Sequence, residues 1–139
     1  MTRNKAKRNF TLAIAAFFAV HTIASFNDLY RSMAWVDIPA HFLSGVFSAA
    51  FFYWFFQYRP SYFDTSRNFG ITLVLVLGWV TLIGVGWEFF EYLYDLSIVK
   101  YGLELKVLQF GLVDTLGDLL FDMLGGAFLA IFVKLRYHR

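Results

Sequence analysis

The sequence predicts an all-α integral membrane four-helix bundle, and three observations carry the prediction. Of the 139 residues, 59% are hydrophobic and 22% aromatic, with a mean hydropathy of +0.57 and only 16% charged; a soluble domain carries about 25% charged residues. Long apolar runs recur at about 10–26, 37–57, 70–95 and 112–134, each near the length that crosses a bilayer core. The basic residues gather at the two chain ends and in one loop, a distribution that sets membrane orientation and makes no case for nucleic acid. The whole of 1–139 is therefore expected to be a single transmembrane domain. Cysteine is absent, which excludes disulfides, thiolate metal sites and a cysteine nucleophile.

The first span follows MTRNKAKRN, which holds Arg3, Lys5, Lys7 and Arg8. A basic start before an apolar run resembles a signal peptide, but no convincing cleavage site follows, so the segment reads as a retained helix closed by Asn27 and Asp28. His21, Ser25 and Asp28 share one face of its outer half. The second span has Pro39 near its start, where first-turn N–H groups lack intrahelical partners and proline is tolerated. Asp37, His41, Ser44, Gly45 and Ser48 form its polar and small stripe, and the aromatic block 51–56 opposite suits lipid contact.

A loop over 58–69 carries Arg59, Pro60, Asp64 and Arg67. The third span then runs without charge until Glu88 and Glu91, which share a stripe with Thr81, Gly84 and Asp95. Gly78 and Gly84 are expected to let neighbouring backbones come close. Residues 96–110 mix apolar and polar types and read as an extended or interfacial segment. In the fourth span Asp114, Asp118 and Asp122 recur every four residues, a stripe drifting by about 40° per step. It ends in Lys134, Arg136, His138 and Arg139, and the chain contains no internal repeat.

With four spans, both tails and the loop carrying Arg59 and Arg67 fall on one side, which the positive-inside rule makes cytoplasmic. Both termini are thus expected in the cytoplasm, with the plasma membrane of a prokaryote as the setting. Asp37, His41, Glu88, Glu91, Asp114 and Asp118 then lie within roughly 10 Å of the outer interface, with Asp122 about 5 Å deeper. A charge at a helix centre costs about 2.5–3.5 kcal/mol on insertion scales, so these acids need compensation.

A divalent metal ion is the economical compensation. Pairs at i, i+3 and i+4 aim two side chains at one point, and bundle-core metal sites are built in that way. The expected metal ligands are Glu88, Asp114, Asp118, Asp122 and His41, and the expected catalytic groups are His41, Glu91 and Asp37. The acid-rich set favours Mg²⁺ or Mn²⁺, and the histidine keeps Zn²⁺ or iron open. Plainer readings stand beside this one. Asp37 also suits a helix N-cap, Glu91 and Asp95 the water surface, His41 an interior histidine, and the acids a structural cluster paired with His21 or Arg31. No Gly-rich phosphate loop, HExxH helix or GxSxG elbow is present.

Asp37-Ile-Pro-Ala-His41-Phe42, then Glu88 with Glu91, then Asp114-Thr-Leu-Gly-Asp118 leading to Asp122 and Gly125-Gly126, resembles the pattern of the VanZ-like superfamily, especially its YjdF-like branch. The likeness covers about 37–126. It implies a polytopic membrane protein whose polar residues form a site for lipid-linked or envelope substrates, and it matches Asp37, His41, Glu88, Asp114, Asp118 and Asp122. The expected function is a divalent-metal-dependent enzyme, a hydrolase or transferase, acting on a lipid or lipid-linked phosphate or ester head group. The alternative is a non-enzymatic cation-binding or cation-transporting membrane protein. Membrane lipid is the expected partner, and a homo-oligomer is left open.

Overall fold

The computed structural model describes residues 3–27, 29–58, 64, 67–103, 105 and 107–137. Four long helices make up the chain: α1 (Arg3–Phe26), α3 (Asp37–Tyr58), α4 (Phe69–Tyr101) and α5 (Leu112–Tyr137). Between α1 and α3 lie the single turn α2 (Leu29–Ser32) and a 3₁₀ turn at Ala34–Val36. Helices α3, α4 and α5 are long and apolar enough to cross a membrane. Their flanks expose large apolar side chains such as Val74, Leu82, Phe89, Leu116 and Phe128. In water that surface would be a liability, whereas in lipid it is the required solvent contact.

Local chemistry sets the ends of α4. Asn68 is its N-cap, with Oδ1 accepting from the Ile71 N–H at 3.1 Å, and Thr72 Oγ1 donates back to the Asn68 carbonyl at 2.9 Å. At the other end Gly102 takes φ 61°, a left-handed position that favours glycine, and Leu103 N–H closes onto Ile98 O at 3.1 Å. The helix therefore continues through 96–101, a stretch whose mixed composition predicts an extended or interfacial segment. Its apolar positions Leu96, Ile98 and Val99 simply prolong the helix, and the non-helical connection begins only after Gly102. At 33 residues α4 is about 50 Å long, some 20 Å more than the bilayer core.

Helices α3 and α5 run parallel at the centre, where glycines permit close approach. A Cβ on Gly45 would collide with the Asp122 carbonyl of α5, and one on Gly125 would collide with the Phe42 carbonyl of α3. Helix α4 runs antiparallel to α5, so that Gly84 faces Asp122, Val80 faces Gly126, and Lys134 Nζ sits 4.2 Å from the centroid of the Phe69 ring. Gly86 and Gly78 have no neighbour within 4 Å of their Cβ positions, so of the expected pair only Gly84 serves a helix contact.

Helix α1 lies antiparallel along α3. Phe10 stacks on Trp54 at 5.3 Å and 12°, and Phe17 meets Phe47 at 5.1 Å. That packing corrects the reading of 51–56 as a lipid-facing block. Phe52 and Tyr53 are buried in the main core beside Val76, Val80, Ala130 and Val133, Phe51 and Trp54 are covered by α1, and Phe55 alone of this block is exposed. An aromatic run this dense wraps all round its helix, and its inner members have no choice but to pack.

These directions set most of the charges apart by sign, Lys100 in the last turn of α4 and Asp64 beside Arg67 excepted. Lys5, Lys7, Arg8, Arg67, Lys134 and Arg136 belong to one end of the bundle, while Asp37, His41, Glu88, Asp114 and Asp118 belong to the other half. Arg59, His138, Arg139 and Asp28, and the side chains of Ser25 and Arg31, lie outside the described residues.

Candidate functional site

The first turn of α3 and the first three turns of α5 meet at one end of the parallel pair. Asp37 is the first residue of α3, with φ −66° and ψ −37°, so it is already helical and does not have the extended backbone of an N-cap. One turn on, His41 presents its imidazole to α5. Its Nε2 stands 3.6 Å from Asp37 Oδ1 and 3.6 Å from Asp118 Oδ1, and its Nδ1 stands 3.6 Å from Asp122 Oδ2. Three carboxylates thus surround one ring, two on one nitrogen and one on the other.

The cluster is shielded. The side chains of His41, Asp118 and Asp122 are 11%, 10% and 3% exposed, whereas Asp37 is 27% exposed at the open end. Asp122 is held between helices: its backbone lies against Gly45, and its Oδ2 would be 2.7 Å from a Cβ on Gly84. Among the described residues, His41 Nδ1 and Asp122 Oδ1 are buried without a hydrogen-bond partner. Separations of 3.6 Å exceed an N–H···O bond, so the ring is flanked by acids without being bonded to them.

Asp37, His41 and Asp118 each offer one ligand atom, and these atoms lie within 4.8 Å of one another. Two ligands held by one ion at 2.0–2.2 Å stand roughly 3.3–3.6 Å apart in a tetrahedral shell, which is the spacing of Nε2 from each of the two carboxylate oxygens. The trio could therefore hold a cation, and Asp122 stands where a carboxylate would orient the ring through its other nitrogen.

The remaining acids have other engagements. Glu88 Oε2 accepts from Thr115 Oγ1 at 2.7 Å and from Gln109 Nε2 at 3.3 Å. Glu91 Oε1 accepts from Trp87 Nε1 at 2.8 Å on its own helix. Asp114 Oδ2 accepts from the Phe110 N–H at 3.3 Å, a carboxylate in the first turn reaching back over the helix start. Asp95 accepts the N–H groups of Leu108 and Gln109 at 2.9 and 3.0 Å, and so ties the connection after α4 to the helix that precedes it. His21 stacks on Phe17 at 5.8 Å within α1.

Helical geometry explains the sorting within α5. Asp114 and Asp122, eight residues apart, point about 80° apart, whereas Thr115 and Asp122, seven apart, differ by about 20°. Thr115 is therefore the residue that joins the inward face, a signal present in its spacing from Asp118 and Asp122. Gln109 comes from the non-helical connection, and no periodicity announces it.

No curated protein and no solved structure gives a significant match to the chain. A family model does, over residues 1–139: the chain belongs to the DUF2238 family, described as predicted membrane proteins.

Proposed function

We propose that this membrane protein binds one divalent metal ion through Asp37, Asp118 and His41 Nε2, with Asp122 orienting the imidazole through Nδ1, and that it uses the ion to act on a phosphate or ester group of a lipid or lipid-linked substrate. The observation that carries the reading is the pair of 3.6 Å separations from Nε2 to two carboxylate oxygens, on a ring whose other nitrogen, Nδ1, is buried without a hydrogen-bond partner among the described residues. An imidazole beside two carboxylates suits Zn²⁺ or Mn²⁺ better than Mg²⁺.

A bound ion would polarise a phosphoryl or carbonyl oxygen and supply a hydroxide at neutral pH. The chain's own contribution is positional. Asp37 sits at the partly open end and is placed to contact an arriving head group or water, while Asp122 and the two glycines beneath it hold the ring from the closed side.

The cation-transport alternative would need polar groups continuing past Asp122. The interior beyond it holds the buried hydroxyls of Ser48 and Thr72 but no further acid among the described residues, and it is closed by Ala49, Phe52, Val76, Val80, Ala130 and Val133, which favours a one-sided site. Elemental analysis of purified protein, with lipid extraction from the same sample, tests the proposal. Near-stoichiometric metal that disappears in Asp118→Ala is expected; absence of metal together with unchanged stability of that variant would falsify it.

A further inference from the structure

A cleft of about 290 Å³ lies between α4 and α5, lined by Val85, Glu88, Phe89, Tyr92, Thr115 and Leu119, with Gln109 from the connection. Phe89 and Tyr92 are 64% and 54% exposed, so the cleft opens on the flank of a spanning helix, toward lipid. Its walls are mostly apolar, with the Glu88 carboxylate as their one charged group beside the neutral polar side chains of Tyr92, Gln109 and Thr115. Glu88 is only 7% exposed, and its two oxygens differ. Oε2 accepts from Thr115 and Gln109, and the Thr115 oxygen in turn accepts from Gln109 Nε2 at 3.3 Å, so the three groups lock one another. Oε1 is buried with no hydrogen-bond partner among the described residues.

We propose that this cleft binds one membrane amphiphile through a primary ammonium head, which donates to Glu88 Oε1 while the chain lies along Val85, Phe89 and Leu119. A buried carboxylate whose donors are both neutral is best offset by a cation. Apolar walls suit a hydrocarbon chain and cannot replace the water shell of a small ion. Thr115 lies in the first turn of α5, so the carboxylate stands at the depth where that helix begins, which is head-group depth. This site is separate from the metal reading: its polar atom is Glu88 Oε1, and it draws no atom from Asp37, His41 or Asp118.

The experiment is native mass spectrometry of the detergent-solubilised protein titrated with dioleoyl phosphatidylethanolamine, phosphatidylcholine and phosphatidylglycerol. The wild type is expected to retain the ethanolamine lipid at least tenfold over the choline lipid, whose trimethylated nitrogen has no N–H to donate, and over the glycerol lipid. Glu88→Gln, which keeps the shape and removes the charge, abolishes the preference, as does Leu119→Trp, which fills the cleft from the other wall. Asp118→Asn keeps the preference even where bound metal is lost, which distinguishes failure of this proposal from failure of the metal site. Equal retention of the three lipids by the wild type overturns the proposal. So does an unchanged preference in Glu88→Gln and Leu119→Trp samples that melt as the wild type does, or loss of metal with retained preference in Glu88→Gln.

Discussion

His41 Nδ1 and Asp122 Oδ2 stand 3.6 Å apart in the closed half of the bundle, with Asp122 pressed between Gly45 and Gly84. The carboxylate cannot retreat, because Gly84 of α4 lies against it and its own backbone is packed on Gly45 of α3. It therefore determines which way the imidazole turns, and so which nitrogen faces Asp37 and Asp118. Replacing it with Asn keeps the volume and removes the charge. Asp122→Asn is expected to lower metal affinity by about 10- to 100-fold, the usual effect of losing such a supporting carboxylate, as read by competition with a metal-sensitive dye. Unchanged affinity would separate Asp122 from the site.

Removal of the ion tests the same arrangement from the other side. Bound metal stabilises the folded chain by about 2.7 kcal/mol when free metal is a hundredfold above its dissociation constant. Chelation should lower the melting temperature of the wild type and leave His41→Ala and Asp118→Ala, already metal-free, where they were. A chelator shift of equal size in those variants would contradict the ligand assignment.

The glycines offer a prediction that needs no ligand. Gly45→Ala and Gly125→Ala each place a methyl group into a backbone carbonyl across the α3–α5 contact, whereas Gly78→Ala meets nothing. Overpacking of this kind costs about 1–3 kcal/mol, and here the opposing atoms are backbone that can yield only by parting the helices. Unfolding in mixed micelles should rank the first two well below the wild type and Gly78→Ala close to it. Three equivalent curves would mean that α3 and α5 do not approach as closely as described.

Asp95 supports two N–H groups of the connection after α4. In Asp95→Ala both donors lose their acceptor, at about 1–3 kcal/mol for each one left buried and unpaired. Faster amide exchange at Leu108 and Gln109, with α3 protection unaffected, is the expected outcome of hydrogen-exchange mass spectrometry.

Orientation in the bilayer is open to a direct measurement because the chain has no cysteine. Single cysteines at Lys7 and Arg136, which are exposed at the basic end, should react with an impermeant maleimide only from the cytoplasmic face, and one at the exposed Tyr101 only from the opposite face. Labelling of Lys7→Cys and Tyr101→Cys from the same face would refute the four-span arrangement with both termini in the cytoplasm.

The long apolar helices and the gathering of most basic residues at one end were legible in the sequence, because apolar length and charge are properties of a segment by itself. So was the oddity of Asp118 and Asp122, short acids with no route to water from within an apolar helix. Which acids meet was a different matter, since it depends on how each helix is rotated and how closely two of them approach. Gly45 and Gly125 bring α3 onto α5, and that contact places His41 among Asp37, Asp118 and Asp122. The rotation of α5 that serves Asp118 and Asp122 directs Asp114 to its own helix start and brings Thr115 to Glu88. The sequence by itself determined that carboxylates would be buried at one end of a membrane bundle. Only the tertiary structure divided them into a histidine-centred trio backed by Asp122 and a separate Glu88 cleft, because interhelical distance and rotation arise from the fit of whole surfaces and are written in no single stretch of residues.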